Sequence, residues 1–78
     1  MPMCAKCLSA VQRYYPELSE ADQVELLWEA TAFPFSSPEY IEKQLTELRQ
    51  NTDGTLAGAI AYADAKLDRD ILNRKVAP

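Results

Sequence analysis

The apolar positions along this chain recur at intervals of three and four, the spacing of side chains on one face of an α-helix. In the first segment Cys4, Cys7 or Leu8, and Val11 stand at such intervals. Pro16 closes that segment, because proline cannot continue the backbone ladder and disfavours helix in the residue before it. Ser19 then opens a second helix as its N-cap, with Glu20 and Asp22 in the first turn, where carboxylates meet the positive end of the helix dipole. Val24, Leu27, Trp28 and Thr31 make one stripe of this helix, and Leu26, Ala30 and Phe33 an adjoining one. An arc that wide predicts contact with two neighbours rather than one.

Phe33-Pro34-Phe35-Ser36-Ser37-Pro38 breaks the pattern and restarts it, with Ser37 as N-cap and Pro38 at the first helical position. A third helix follows to about Gln50, turning Ile41, Leu45 and Leu48 inward and offering Glu39 and Lys43 as an i,i+4 pair. Asn51-Thr52-Asp53-Gly54 has the composition of a turn. A last helix is expected from Thr52 or Asp53 as cap to about Arg74 or Lys75, with Leu56, Ile60, Ala63, Leu67 and Ile71 as its stripe. Its Ala- and Gly-rich run from Ala57 to Ala65 predicts a close approach by another helix. No strand-like alternation, internal repeat or heptad run interrupts these segments. The pattern predicts an all-α fold: a compact bundle of three to four short helices in a single domain over residues 1–78. The helices are placed at 1–16, 19–33, 37–50 and 53–75.

Composition changes the picture in one respect. Much of the apolar content is alanine, so Trp28, Phe33, Phe35 and the tyrosines are expected to fill a large share of the core. Of Tyr14 and Tyr15, one is expected to pack and the other to face solvent.

Charge narrows the partners. Residues 17–47 hold eight acids against one base, Lys43, while Lys6 and Arg13 at one end and Arg69, Arg74 and Lys75 at the other are mildly basic. A nucleic-acid binder carries a basic face that neutralises phosphates, so no direct nucleic-acid contact is expected. No stretch approaches the roughly 20 apolar residues of a membrane span, and Met1 to Ala10 lacks the apolar core of a signal peptide. A cytoplasmic protein with reduced cysteines is the simplest expectation.

The candidate chemistry is sparse. The absence of histidine removes the usual general base and the commonest metal ligand. Gly54 and Gly58 make no phosphate-binding pattern, and the carboxylates follow helix starts and outer faces rather than pairing across a cleft. No enzyme and no bound cofactor are expected.

Cys4-Ala-Lys-Cys7 has the spacing of a metal or redox pair. A structural zinc needs about four ligands, so Cys4 and Cys7 would hold one only if two chains shared it in a homodimer. The remaining readings are plain packing of two small soft side chains, an intermolecular disulfide, or thiol redox chemistry.

Two features could bind a partner. Phe33 and Phe35 flank a proline and read either as a hydrophobic corner between helices or as anchors for another protein. The acidic positions Glu20, Glu25, Glu29, Glu39 and Glu42 read either as a solvated surface or as a face for a basic partner. A pocket for a nucleotide would need several chains, since one this short does not enclose the several hundred Å3 of a typical site.

Cys4-x-x-Cys7, the Leu18-Ser19 helix start, Thr31-Ala-Phe-Pro-Phe35, the Gln44-Leu45 pair and Asp53-Gly-Thr-Leu56 before Ala61-Tyr-Ala63 occur in an order that resembles small accessory proteins of tailed bacteriophages. The resemblance spans most of the chain and rests on short motifs of structural character. It implies a protein of the host cytoplasm that binds and blocks a host protein or defence complex, CRISPR complexes included. It implies no catalytic residue.

Overall fold

A computed structural model describes residues 4–67. Four helices follow one another: α1 (Ala5–Tyr14), α2 (Glu20–Ala30), α3 (Pro38–Asn51) and α4 (Leu56–Lys66). They form the expected small all-α bundle, with no strand among the described residues. No helix of the described residues is long and apolar enough to cross a membrane.

Local cap chemistry sets most of the boundaries. Ser19 accepts from the backbone N–H of Asp22 at 3.1 Å, and Ser37 from that of Tyr40 at 3.2 Å. Each satisfies a donor that the first helical turn leaves without a partner, and losing such a cap costs about 1 kcal/mol. Pro38 stands at the first turn of α3, where its missing N–H leaves no gap in the ladder.

The start of α4 lies later than the sequence pattern places it. Thr55, rather than Thr52 or Asp53, is the N-cap and accepts from Gly58 N–H at 3.0 Å. Thr52 closes α3, donating its hydroxyl to the Leu48 carbonyl at 2.7 Å. The Asp53 carboxylate folds over the turn to accept from both the backbone and the hydroxyl of Thr55. Between them Gly54 has φ +86, a left-handed conformation that glycine adopts without steric penalty. The far end of α4 also differs from expectation: Leu67 is already extended and caps the helix at Lys66. Arg69, Ile71, Arg74 and Lys75 lie outside the described residues.

The core is built from Cys7, Ala10, Val11, Tyr15, Leu26, Leu27, Ala30, Ala32, Ile41, Leu45, Leu48, Ala59 and Ala63. α1 packs against α2 and α3, and α4 against α2 and α3, so the wide apolar arc of α2 does meet two helices. Ala59 and Ala63, both fully buried, supply the small surface at which α4 approaches its neighbours. Gly58 does not share that role. A Cβ there would run into the Asp53 carboxylate, so its smallness serves the cap loop rather than a helix crossing.

Several bonds link α1 and its end to α3 at similar offsets of 29 to 32 residues. Arg13 pairs with Glu42, the Tyr14 and Thr46 hydroxyls share a hydrogen bond at 3.1 Å, and Glu17 just beyond α1 pairs with Arg49. Both partners advance together along the sequence, so the two helices run parallel. α3 and α4 are joined by the short turn and cross-linked where the Tyr62 hydroxyl donates to Glu47 at 2.7 Å. Glu42 and Glu47 of α3 thus bond to other elements, and no ion pair joins Glu39 to Lys43.

The aromatic residues are distributed differently from the core expectation. Tyr15 is fully buried with the Arg49 guanidinium 4.7 Å above its ring. Tyr14, Phe33, Tyr40 and Tyr62 are partly buried against the core. Trp28 and Phe35 are about half exposed, at 48% and 51%. Aliphatic side chains and alanine, rather than the largest rings, fill the interior.

Candidate functional site

The segment Thr31 to Ser37 turns the chain from α2 into α3, and buried polar groups hold it in place. Thr31 donates its hydroxyl to the Leu27 carbonyl at 2.6 Å and accepts from Phe33 N–H at 3.2 Å. Ala32, fully buried, donates its N–H to Gln44 Oε1 on α3 at 2.7 Å. Its carbonyl accepts from Phe35 N–H at 2.7 Å, and the Phe33–Pro34 bond is cis. Gln44 is itself buried, so this hydrogen bond is shielded from competing water.

The outcome is a fixed aromatic corner. Trp28 and Phe33 meet edge to face, with ring centroids 4.8 Å apart at 85°, the geometry that the aromatic quadrupole favours. Phe33 seats against the core, while the Trp28 face and Phe35 project. Phe33 therefore sits in a hydrophobic corner between helices, and Phe35 is exposed beside it. Trp28 was assigned to the core stripe by its spacing, yet it belongs to this surface. Its signal in the sequence was its place at the outer edge of an arc whose buried centre is Leu26, Leu27 and Ala30.

The structure divides the acidic candidates into two groups. Glu25 precedes Trp28 by three residues and so shares its face of α2, Glu29 follows it directly, and Glu20 lies two turns earlier. All three are exposed. Glu42, by contrast, pairs with Arg13, and Glu39 lines a groove with Lys6, Ala10 and Pro38 on the α1–α3 side. Glu39 and Glu42 therefore do not join the Trp28 corner.

The cysteines occupy the start of α1. Cys4 is the N-cap, half-buried, and its Sγ accepts from Cys7 N–H at 3.3 Å. Hydrogen bonds from the Cys7 side chain and backbone, with the nearby Lys6 charge, hold the Cys4 thiol below its ordinary value. Burial first, then the Cys4 sulfur and the Glu39 carboxylate, pushes Cys7 up to about 12. Only 2% of Cys7 is exposed, so an ion shared between two chains would have to reach a thiol that faces the core. Among the described residues no three His, Cys, Asp or Glu side chains gather as metal ligands.

A groove of about 300 Å3 lies between α3 and α4, lined by Tyr40, Lys43, Gln44, Glu47, Lys66 and Leu67. Leu67, on its α4 side, is the last described residue.

Burial gives the fold a distinct alkaline response. The Tyr15 hydroxyl is buried, with no well-formed hydrogen bond: the neighbouring Thr52 hydroxyl is committed to Leu48. Burial raises the Tyr15 phenol, as it does the Cys7 thiol. In the unfolded chain these groups ionise near their ordinary values, about 8.5 for a thiol and about 10 for a phenol. The native state holds both protonated, so its advantage is complete below about pH 8.5 and is lost as pH rises towards 12. Cys4 acts in the opposite sense but only below the thiol range. The melting temperature is expected to fall steadily from pH 8.5 to 11 when followed by circular dichroism. A flat profile over that range would rule the mechanism out.

Comparison with known proteins finds no matching family model, no matching curated protein and no matching solved structure.

Proposed function

We propose that this chain is a protein-interaction module that works by binding rather than catalysis, with the Trp28–Phe35 corner as its docking surface. The observation that carries this reading is the exposure of two large aromatic side chains on one rigid corner in a chain this small. Exposed aromatic anchors on a preorganised backbone are the usual centre of a binding hot spot, because little conformational freedom is lost on docking.

The occupant that suits the surface is a basic segment of another protein that places an apolar side chain on Trp28 and Phe35. Glu25 and Glu29 neighbour Trp28 on α2, and Glu20 extends the same sign of charge along the helix. Such a field accelerates encounter with a basic partner and disfavours acidic ones. The resemblance to small phage accessory proteins supports an inhibitor that occupies a working surface of a host protein or defence complex. Steric and electrostatic occupation needs none of the groups that this sequence lacks.

The test is capture of partners by tagged wild-type chain, followed by affinity measurement with variants. Trp28→Ala is expected to weaken the complex by about 30-fold or more, the scale of a hot-spot truncation. The double variant Glu25→Lys, Glu29→Lys is expected to lower the association rate and its salt dependence. Failure to recover any stoichiometric partner, or equal binding by Trp28→Ala with its helical spectrum intact, would overturn the assignment.

A further inference from the structure

The Cys4–Cys7 pair is no part of the Trp28–Phe33 contact and is not used by docking there. Its geometry is asymmetric. Cys4 stands just outside α1 with extended backbone angles, φ −65 and ψ 113, and remains reachable from solvent. Cys7 is one turn further in, buried, with its own N–H aimed at the Cys4 sulfur at 3.3 Å. Residues three apart on a helix have Cβ atoms about 5–6 Å apart, and a disulfide needs about 3.5–4.5 Å. Cys4 can close that gap because it is the cap and not yet part of the helix, so Cys7 need not leave the core. The charged groups facing the pair are Lys6 on α1 and Glu39 on α3. Because α1 and α3 run parallel, the N-terminal end of α3 at Pro38 and Glu39 flanks the same groove as Lys6, bringing two positive dipole ends to one side of the bundle.

We propose that Cys4 and Cys7 form a working dithiol that exchanges with low-molecular-weight disulfides and closes into an intrachain disulfide across the first turn of α1. The Cys4 thiolate attacks one sulfur of the small disulfide, forming a mixed disulfide and releasing one thiolate, which takes a proton from water. Cys7 then gives up its proton to solvent, and its sulfur attacks the Cys4 sulfur, breaking the mixed disulfide and releasing the second thiol. Two electrons pass from the protein dithiol to the small disulfide, which leaves as two thiols. Cys4 is the attacking group because it is accessible. Cys7 is the resolving group because it is held beside Cys4 and sheltered from outside reagents.

The test uses the full-length reduced chain, incubated with oxidised glutathione and read by intact mass. Wild type is expected to lose two hydrogens without retaining glutathione. Cys7→Ser is expected to stop at a single glutathione adduct on Cys4. Cys4→Ser is expected to react at least tenfold more slowly than wild type. Cys7→Ala serves as a second resolving-site variant should the serine hydroxyl unfold the core. The wild-type mass change stands independently of any variant. Wild type that stays reduced, or that keeps a glutathione adduct instead of the intrachain bond, would overturn the proposal. So would equal reactivity of Cys4→Ser. None of these outcomes depends on whether the aromatic corner binds a partner.

Discussion

Replacing Leu45 by alanine is expected to remove about 2–5 kcal/mol of stability, through lost transfer free energy and the cavity left behind. Leu45 is fully buried in α3, the helix that α1 and α4 both touch. A domain of this length has only roughly 4–12 kcal/mol in total. Each kcal/mol corresponds to about 4–8 °C in melting temperature for a domain this size, so the fall is expected to exceed about 10 °C. Phe35→Ala removes a larger side chain yet is expected to change stability by no more than about 0.5 kcal/mol, as exposed positions do. Thermal melts of the two variants side by side check the division between core and exposed corner. A Phe35→Ala variant as unstable as Leu45→Ala would show that the corner is structural.

The second large effect concerns the support of the corner. In Gln44→Leu the volume is nearly kept, but Ala32 loses the acceptor of its N–H in a buried site. An orphaned buried donor costs about 1–3 kcal/mol, and the loss falls on the segment that presents Phe33 and Phe35. Trp28 is the single tryptophan, so its fluorescence reports on this region alone. Gln44→Leu is expected to shift the native emission as well as lower the melting temperature, whereas Leu45→Ala is expected to lower the melting temperature with native emission unchanged. If Gln44→Leu left both the emission and the melt at wild-type values, the hydrogen bond would not be what holds the corner.

Two buried glutamines, Gln23 and Gln44, show what was legible in the sequence. Gln23 and Gln44 are buried because each answers a backbone group: Gln23 donates to the Tyr15 carbonyl at 2.9 Å, and Gln44 accepts from Ala32. A hydrophobic pattern scores both as surface, since their partners come from other parts of the chain. Ser19 and Ser37 were readable as helix starts because a cap bonds within three residues of itself. The start of α4 was misplaced by the same kind of local chemistry. Thr52 and Asp53 are candidate caps in the sequence, but in the structure they take turn roles and Thr55, just past Gly54, is the cap. Helical spacing puts Trp28 on the inward stripe, because such spacing defines an arc and leaves its centre undetermined, while the alanine-rich composition draws Phe35 towards the core although its place beside Pro34 also allows an exposed position. The acidic positions read as one band, but Glu42 on α3 turns to α1, while Glu25 and Glu29 lie near Trp28 on α2.

The parallel placement of α1 and α3 has a consequence for how the chain comes together. Parallel helices cannot be joined by a tight turn, so α2 and its corner serve as a crossover that returns the chain to the end from which it started. The bonds linking α1 and its end to α3 span 29 to 32 residues, against 15 for the Tyr62–Glu47 bond between α3 and α4. Closure entropy rises with the logarithm of that span. The α3–α4 hairpin therefore closes at a lower entropic cost than the seam between α1 and α3.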